Sequence, residues 1–445
     1  MFAPNVDAYG LSLSTVSPSA AEHYRLGIEL MLSTWPGADG QFEAALAEDP
    51  DFALAHAALA RLDAFAARPA AARARIGVAR DHAADNASER EQSHVEALAL
   101  TITSGPKQAL AHALAHAERW PRDVLILGLP LGAFGLFAFS GMADHDQARV
   151  DLCARYAGQF DADDWWFLTY HGWALAENGE PARGRTMLER AFALRRANAN
   201  AVHGLSHALY ESGAQQDAAA IITDWLPDYG RHTLLHGHLS WHAALIALEC
   251  GDAEQANALY LGNIAPDVSR GAPINIVTDG ASLLWRMAAQ GHAVDPALWQ
   301  ALAAYARDHF PKVGHGFTDA HLGLIAAATS DAAAVEQRAG DIMGLVAAQA
   351  YLPGPVVATI CRAALAFAEE DYSTCAALLL PVLPDLPRIG GSGAQRDVIG
   401  DMALIAMMRS GELEVARSWL DARLHRRLPV VAASQRMAGG GGNHR

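Results

Sequence analysis

The 445 residues predict an all-α chain, a solenoid of antiparallel helical hairpins. Three observations carry this expectation. Half of the sequence is apolar, only 18% is charged, and alanine, the strongest helix former, is the commonest residue. No stretch alternates apolar and polar residues, so no sheet is expected. A phrase recurs along the chain: an apolar helix, a short Gly/Asp/Asn turn, then a second helix opening on small residues.

The phrase reads Ala-Glu-Asn-Gly-Glu-Pro-Ala-Arg-Gly at 176–184 and Glu-Ser-Gly-Ala-Gln-Gln-Asp-Ala-Ala at 211–219. It returns as Glu-Cys-Gly-Asp-Ala-Glu-Gln-Ala at 249–256 and Arg-Ser-Gly-Glu-Leu-Glu-Val-Ala at 409–416, with a weaker copy from Glu369 to Tyr372. Glycine in the turn can take the left-handed conformation that ends a helix. The alanine that follows lets the next helix pack closely against the first. The first three copies are spaced by 35 and 38 residues, near the tetratricopeptide period of about 34. Residues 42–56, with Phe42 and Pro50, match the second half of one such repeat. Ser88 and Glu91 form a capping box that starts a fresh helix carrying His94. The expected architecture is therefore a tetratricopeptide-like α-α superhelix: one array of degenerate hairpins over 1–437, each touching only its neighbours, and a disordered tail at 438–445. Breaks are expected as a long loop at 263–279 and as turns at 352–355 and 381–394.

Charge and composition narrow the function. A net charge of −16, with only the short pairs Arg195–Arg196 and Arg426–Arg427, argues against nucleic-acid or anionic-membrane partners. Residues 1–7 lack a basic segment followed by an apolar one, which predicts no signal peptide. The most apolar segment, 124–140, is broken by Pro130 and glycines and falls short of the roughly 20 residues a membrane span needs. Cys153, Cys250, Cys361 and Cys375 show no metal or disulfide spacing. Buried free thiols in a reducing, cytoplasmic setting are expected.

The histidines are the most informative residues; there are 20. His203 and His207 lie four apart in a helix, so both imidazoles share one face. His238 and His242 repeat the spacing one hairpin later, around Trp241, and Asp319 and His321 follow near a helix start. Brought together, these residues offer imidazole and carboxylate ligands suited to zinc, iron or a similar first-row divalent ion. Gly204 and Leu239 stand where a zinc protease of the H-E-x-x-H class carries glutamate, so that class is disfavoured. Two other readings stay open: histidines hydrogen-bonding across the inner helices as structure, or a concave surface holding an anionic or peptide ligand. His112 and His116 also lie four apart and read as an exposed face. Asp279 and Arg286, seven apart, read as a structural ion pair or an anion clamp. The Gly-rich turn at 390–396 precedes a helix with Ser392 as its N-cap. It lacks the G-K-[ST] ending of a phosphate loop.

Six phrases together resemble the tetratricopeptide repeat protein 38 family. They are Arg-Glu-Gln-Ser-His at 90–94, Ala-Val-His-Gly-Leu-Ser-His at 201–207, and His-Leu-Ser-Trp-His at 238–242. The others are Asp-Gly-Ala-Ser-Leu-Leu-Trp-Arg at 279–286, Phe-Thr-Asp-Ala-His at 317–321 and Gly-Gly-Ser-Gly-Ala-Gln-Arg-Asp-Val at 390–398. The resemblance runs from about Leu11 to Leu420 and implies a helical-repeat fold but little about activity. It carries the family's motifs onto His94, His203, His207, His238, His242, Asp319, His321, Arg286 and Arg396. A signature written in His, Asp and Arg implies a polar pocket. Tyr210 stands where the family suggests an acidic residue, so no carboxylate is taken from that helix. The functional expectation is an inner pocket for a small molecule or a first-row divalent metal (zinc or iron), with metal-dependent catalysis open. His203, His207, His238, His242, Asp319 and His321 form it, supported by His94, Asp279, Arg286, Arg396 and Trp241. The alternative is a protein–protein scaffold that grips a peptide in a concave groove.

Overall fold

The computed structural model describes residues 5–424. Every regular element among them is helical, apart from an isolated bridge between Val6 and Ser12. No helix among the described residues is long and apolar enough to cross a membrane. The expected tail at 438–445 and the Arg426–Arg427 pair lie outside the described residues.

The hairpin turns fall on the repeated phrases. Trp165–Glu177 turns into Pro181–Leu194, Ala199–Glu211 into Gln215–Tyr229, His236–Glu249 into Ala253–Leu259, and Gly393–Ser410 into Leu413–Leu424. Gly179, Gly213, Gly251 and Gly411 have φ between 75° and 87°, a left-handed conformation that strains residues with a Cβ. At the weaker copy Glu370 takes the same conformation, with φ of 61°.

The chain packs as two compact units. One comprises residues up to 140 with 146–174 and 187–201. In it Pro18–Leu32 packs on Ala38–Glu48, Ala53–Phe65 on Pro69–Asn86, and Glu89–Thr103 on Pro106–Arg119. Small residues set these approaches. Ala20, Ala21, Ala45, Ala55, Ala57 and Ala58 are fully buried, and a Cβ on Gly27 would come within 2.5 Å of the Phe42 ring. The alanine-rich composition thus serves close helix contact as well as helix propensity.

The polar centre of this unit is Asp123, which takes Arg90 Nη1 at 2.6 Å, His94 Nδ1 at 3.0 Å and His116 Nε2 at 3.3 Å. This corrects the exposed-face reading of His112 and His116. His116 is buried, and both rings reach Ser93, whose hydroxyl lies 2.9 Å from His116 Nδ1. The chain after Arg119 folds Asp123 back beneath the helix, a contact that local spacing does not reveal.

The other unit comprises 141–145, 175–186 and the chain from 202 onward. The first helices of its successive hairpins, His236–Glu249, Pro273–Ala289, Gly316–Ala328, Val356–Ala368 and Gly393–Ser410, pack side by side. Their second helices cover them. The first helices are buried around most of their girth; residues 316–325 of Gly316–Ala328 are all buried. The neighbour-only expectation is corrected here. Gly393–Ser410 also packs on Pro273–Ala289, three hairpins away. Arg286 donates to the Ala394 carbonyl at 2.8 Å and pairs with Asp401 at 3.1 Å, and Arg409 donates to the Ala289 carbonyl at 3.1 Å.

The expected loop at 263–279 is also corrected. A π-turn at Tyr260–Ile264 and a helix from Pro273, proline occupying its first position, leave only 265–272 outside helices. The breaks at 352–355 and 381–394 are present as a turn and as the 3₁₀ segment Leu383–Ile389 with its Gly-rich exit. Gly391 has φ of 77°, and a Cβ there would meet the Phe317 ring at 2.4 Å. Glycine is therefore required to bring this turn against the helix Gly316–Ala328.

Cys153, Cys361 and Cys375 are buried as expected, whereas Cys250 is exposed because it ends the helix His236–Glu249 at its turn. Burial pushes the three buried thiols up to about 12. An aromatic disulfide reagent at pH 8 is therefore expected to modify about one thiol of the folded protein quickly and four in denaturant. Cys250→Ser should remove the fast phase.

Candidate metal centre

Two helices of the second unit supply the centre. Ala199–Glu211 carries His203 and His207, and His236–Glu249 carries His238 and His242. The i, i+4 spacing stacks each pair on one face, and packing turns the two faces together. The ligand nitrogens of all four imidazoles lie within 4.8 Å of one another. The rings meet edge to face: centroids are 4.6 Å apart for His203–His207, 4.8 Å for His203–His238, 4.5 Å for His207–His242 and 4.8 Å for His238–His242. Edge-to-face imidazoles aim nitrogens at a common point in a way that stacked ones cannot.

Two buried carboxylates orient the rings from behind. His238 Nδ1 is 2.8 Å from Asp279 Oδ2, and His207 Nδ1 is 2.8 Å from Glu177 Oε1. The Glu177 side chain is 1% exposed. At His238 the Asp279 carboxylate accepts, so Nδ1 carries the proton and Nε2 presents its lone pair inward, while Glu177 stands at ion-pair distance from His207 Nδ1. The Nε2 atoms of His207 and His238 both lie 3.0 Å from His203 Nε2. One imidazole nitrogen holds a single proton or a single lone pair, so His203 can satisfy at most one of the two. His242 Nε2 is buried without a hydrogen-bond partner. Burial, and after it the neighbouring imidazoles, hold His203 and His242 well below the ordinary histidine range. Both are therefore neutral near pH 7, the form that binds a metal. Trp241 stacks on His238 at 5.3 Å and edges His242 at 4.8 Å, walling the centre.

The outer shell continues into the Gly-rich turn. The Gly393 amide donates to Glu177 Oε2 at 2.7 Å, and Gln395 Nε2 lies 3.5 Å from Asp279 Oδ1. Ser392 is the N-cap expected from sequence, forming a capping box with Gln395.

Four of the six expected pocket residues are brought together, and Asp319 and His321 fall outside that group. Asp319 is saturated. It accepts from the Gly314 and His315 amides at 3.0 and 2.9 Å, from Tyr351 Oη at 2.9 Å and from Arg338 at 2.5 Å. His321 donates from Nδ1 to the Phe317 carbonyl at 2.8 Å, and burial pushes it down to about 4. The Asp279–Arg286 pairing is corrected as well. Seven residues span about 10 Å along a helix, and the partners are Asp279 with His238, and Arg286 with Asp401 and Ser282. Arg396 donates to the Gly391 carbonyl at 2.6 Å and holds the turn, and His94 belongs to the Asp123 cluster of the other unit.

Sequence reasoning missed Glu177 and Gln395. Glu177 sits in the recurring helix-end phrase, where a glutamate reads as solvated turn text. Its burial follows only from the fold.

No family model matches the chain. Among solved structures it is similar to the P58(IPK) TPR domain, with 14% identity over 88% of this chain and 99% of that one, at a TM-score of 0.20. It is also similar to the Naa15/Naa10 structure bound to HypK-THB, with 14% identity over 92% of this chain and 63% of that one, at a TM-score of 0.24. Neither likeness bears on the chemistry of the imidazole cluster. What the described residues establish by themselves is a tetratricopeptide-like helical-repeat protein that gathers four histidines at one point.

Proposed function

We propose that this chain is a repeat protein that binds one first-row divalent ion, zinc or iron, through His203, His207, His238 and His242. The observation that supports this most is the convergence of the His207 and His238 Nε2 atoms on His203 Nε2, 3.0 Å each, with Asp279 hydrogen-bonded behind His238 and Glu177 at ion-pair distance behind His207. Nε2 atoms that meet at 3.0 Å, with the His242 Nε2 buried beside them without a hydrogen-bond partner, are spaced as the donors of one shared cation would be. Metal–nitrogen bonds of about 2.1 Å put tetrahedral ligands roughly 3.4 Å apart, within the spread of these atoms. Imidazole donors suit zinc, iron, copper or nickel rather than magnesium or calcium. Glu177 and Asp279, one bond behind the ligands, balance the charge of a divalent ion and match the carboxylate–histidine–metal arrangement that raises ligand basicity. The resemblance carries its polar motifs onto these four histidines, and also onto His94, Asp319, His321, Arg286 and Arg396, which lie outside the group.

Zinc in four-coordination is closed by the imidazoles and acts as a structural centre. Iron(II) takes more ligands and keeps positions for water or a small molecule, so the identity of the metal separates a staple from a reactive site. The test is elemental analysis of untagged protein purified without chelator, then after add-back of zinc or iron(II), beside the His203→Ala/His242→Ala variant. About one equivalent is expected in the wild type and none in a variant of unchanged helicity. Wild-type protein that retains no metal after add-back overturns the proposal and leaves the peptide-gripping scaffold, with structural histidines, as the reading to pursue.

A further inference from the structure

The outer shell of the proposed centre converges on one place. Glu177 and Asp279 come from helices far apart in sequence, and both are met by the first turn of the helix Gly393–Ser410. Gly393 offers its amide to Glu177 at 2.7 Å, and Gln395 offers its side-chain amide to Asp279 at 3.5 Å. At the first position of an 18-residue helix the Gly393 N–H has no partner within the helix. The helix dipole adds partial positive charge there, which favours a carboxylate. The turn is itself held rigidly. Arg286 reaches the Ala394 carbonyl, Arg396 the Gly391 carbonyl, and the Ser392–Gln395 capping box closes the start of the helix.

We infer that Gly393 and Gln395 are positioning residues for the metal centre: through Glu177 and Asp279 they fix the tautomer and direction of His207 and His238. This rests on the metal-binding reading above. It also assigns the Gly-rich 390–395 turn a role that its sequence, lacking a phosphate-loop ending, leaves open. Ion binding and seating of the helix Gly393–Ser410 are then linked, because each stabilises the carboxylate geometry the other requires.

Three substitutions separate this role from simple helix support. Gly393→Pro removes the N–H while keeping a residue favoured at the first helical position, and the extended Ser392 backbone, with φ of −89° and ψ of 166°, suits a residue preceding proline. Gly393→Ala keeps the N–H, and its Cβ would meet nothing nearer than Glu177 Oε2 at 3.7 Å. Gln395→Glu keeps an acceptor for the capping box but replaces the donor facing Asp279 with a second carboxylate. Zinc affinity is measured by competition with a chromophoric chelator, and the fold of the metal-free protein by circular dichroism and Tm. Gly393→Pro and Gln395→Glu are expected to weaken zinc binding about 10- to 100-fold, with Gly393→Ala within about threefold of wild type. If Gly393→Pro fails to fold, Gln395→Glu decides. Wild-type binding with Gln395→Glu inside that threefold band overturns the positioning role alone. A wild type that binds neither zinc nor iron(II) overturns the metal reading and this inference with it.

Discussion

A His203→Leu variant is expected to lose more stability in the presence of metal than in its absence. In zinc it should lose stoichiometric binding, a larger effect than the roughly 10- to 100-fold loss from an outer-shell partner, because a ligand itself is gone. At a zinc concentration of about 100 Kd, wild-type protein gains about 2.7 kcal/mol from the ion, and the variant gains none. In chelator the loss is smaller. There leucine removes the hydrogen-bond partner 3.0 Å from His238 Nε2, and a buried polar group left unsatisfied costs about 1–3 kcal/mol. The metal-free variant should therefore fall below wild type by about that amount, and the variant in zinc by that amount plus the lost contribution of the ion. Thermal melts in zinc and in chelator check both halves. An equal loss in zinc and in chelator would falsify the contribution of the ion and favour a self-sufficient network of structural histidines.

The second large effect belongs to the other unit. Asp123→Asn is expected to cost about 3–5 kcal/mol, because Arg90, His94 and His116 would be left buried around a neutral amide. Burial by itself would raise the pKa of Asp123. The His94 interaction, hydrogen bonds from His116 and His94, and Arg90 together outweigh it and hold the carboxyl well below its ordinary value of 3.8. A carboxylate held low in the folded state binds its proton first in the unfolded chain. Its contribution is therefore complete above about pH 4 and is lost as pH falls from there through the folded value. Denaturant titrations at pH 7 and pH 3 check this. The gap between wild type and Asp123→Asn should be wide at pH 7 and narrower at pH 3, and an equal gap at both would show that the site is held by shape rather than charge.

The two centres differ in how far the chain announces them. His203 with His207, and His238 with His242, were legible because i, i+4 spacing is local: once a helix forms, both rings share a face whatever surrounds it. The same holds for the hairpin turns, where Gly179, Gly213, Gly251 and Gly411 end helices by their own backbone preference, and for the Ser88–Glu91 and Ser392–Gln395 caps. His112 and His116 show the limit. Their spacing is as clear, yet they do not form an exposed face, since the deciding partners, Ser93 for both and Asp123 for His116, lie outside their helix.

Local chemistry in the sequence therefore determined the helical class, the turns, the caps and the pairing of histidines within each helix. Tertiary structure alone decided that the two pairs face each other, that Asp319 is consumed by Arg338, Tyr351 and its own loop, and that Arg286 serves Asp401 instead of Asp279. It also decided that Glu177 and Gly393, 216 residues apart, meet across a hydrogen bond. The reason is physical: backbone and i, i+4 preferences act within a turn or two of chain. The direction in which a buried carboxylate points depends on how successive hairpins stack, and that is set by the summed packing of many small side chains rather than by any one of them.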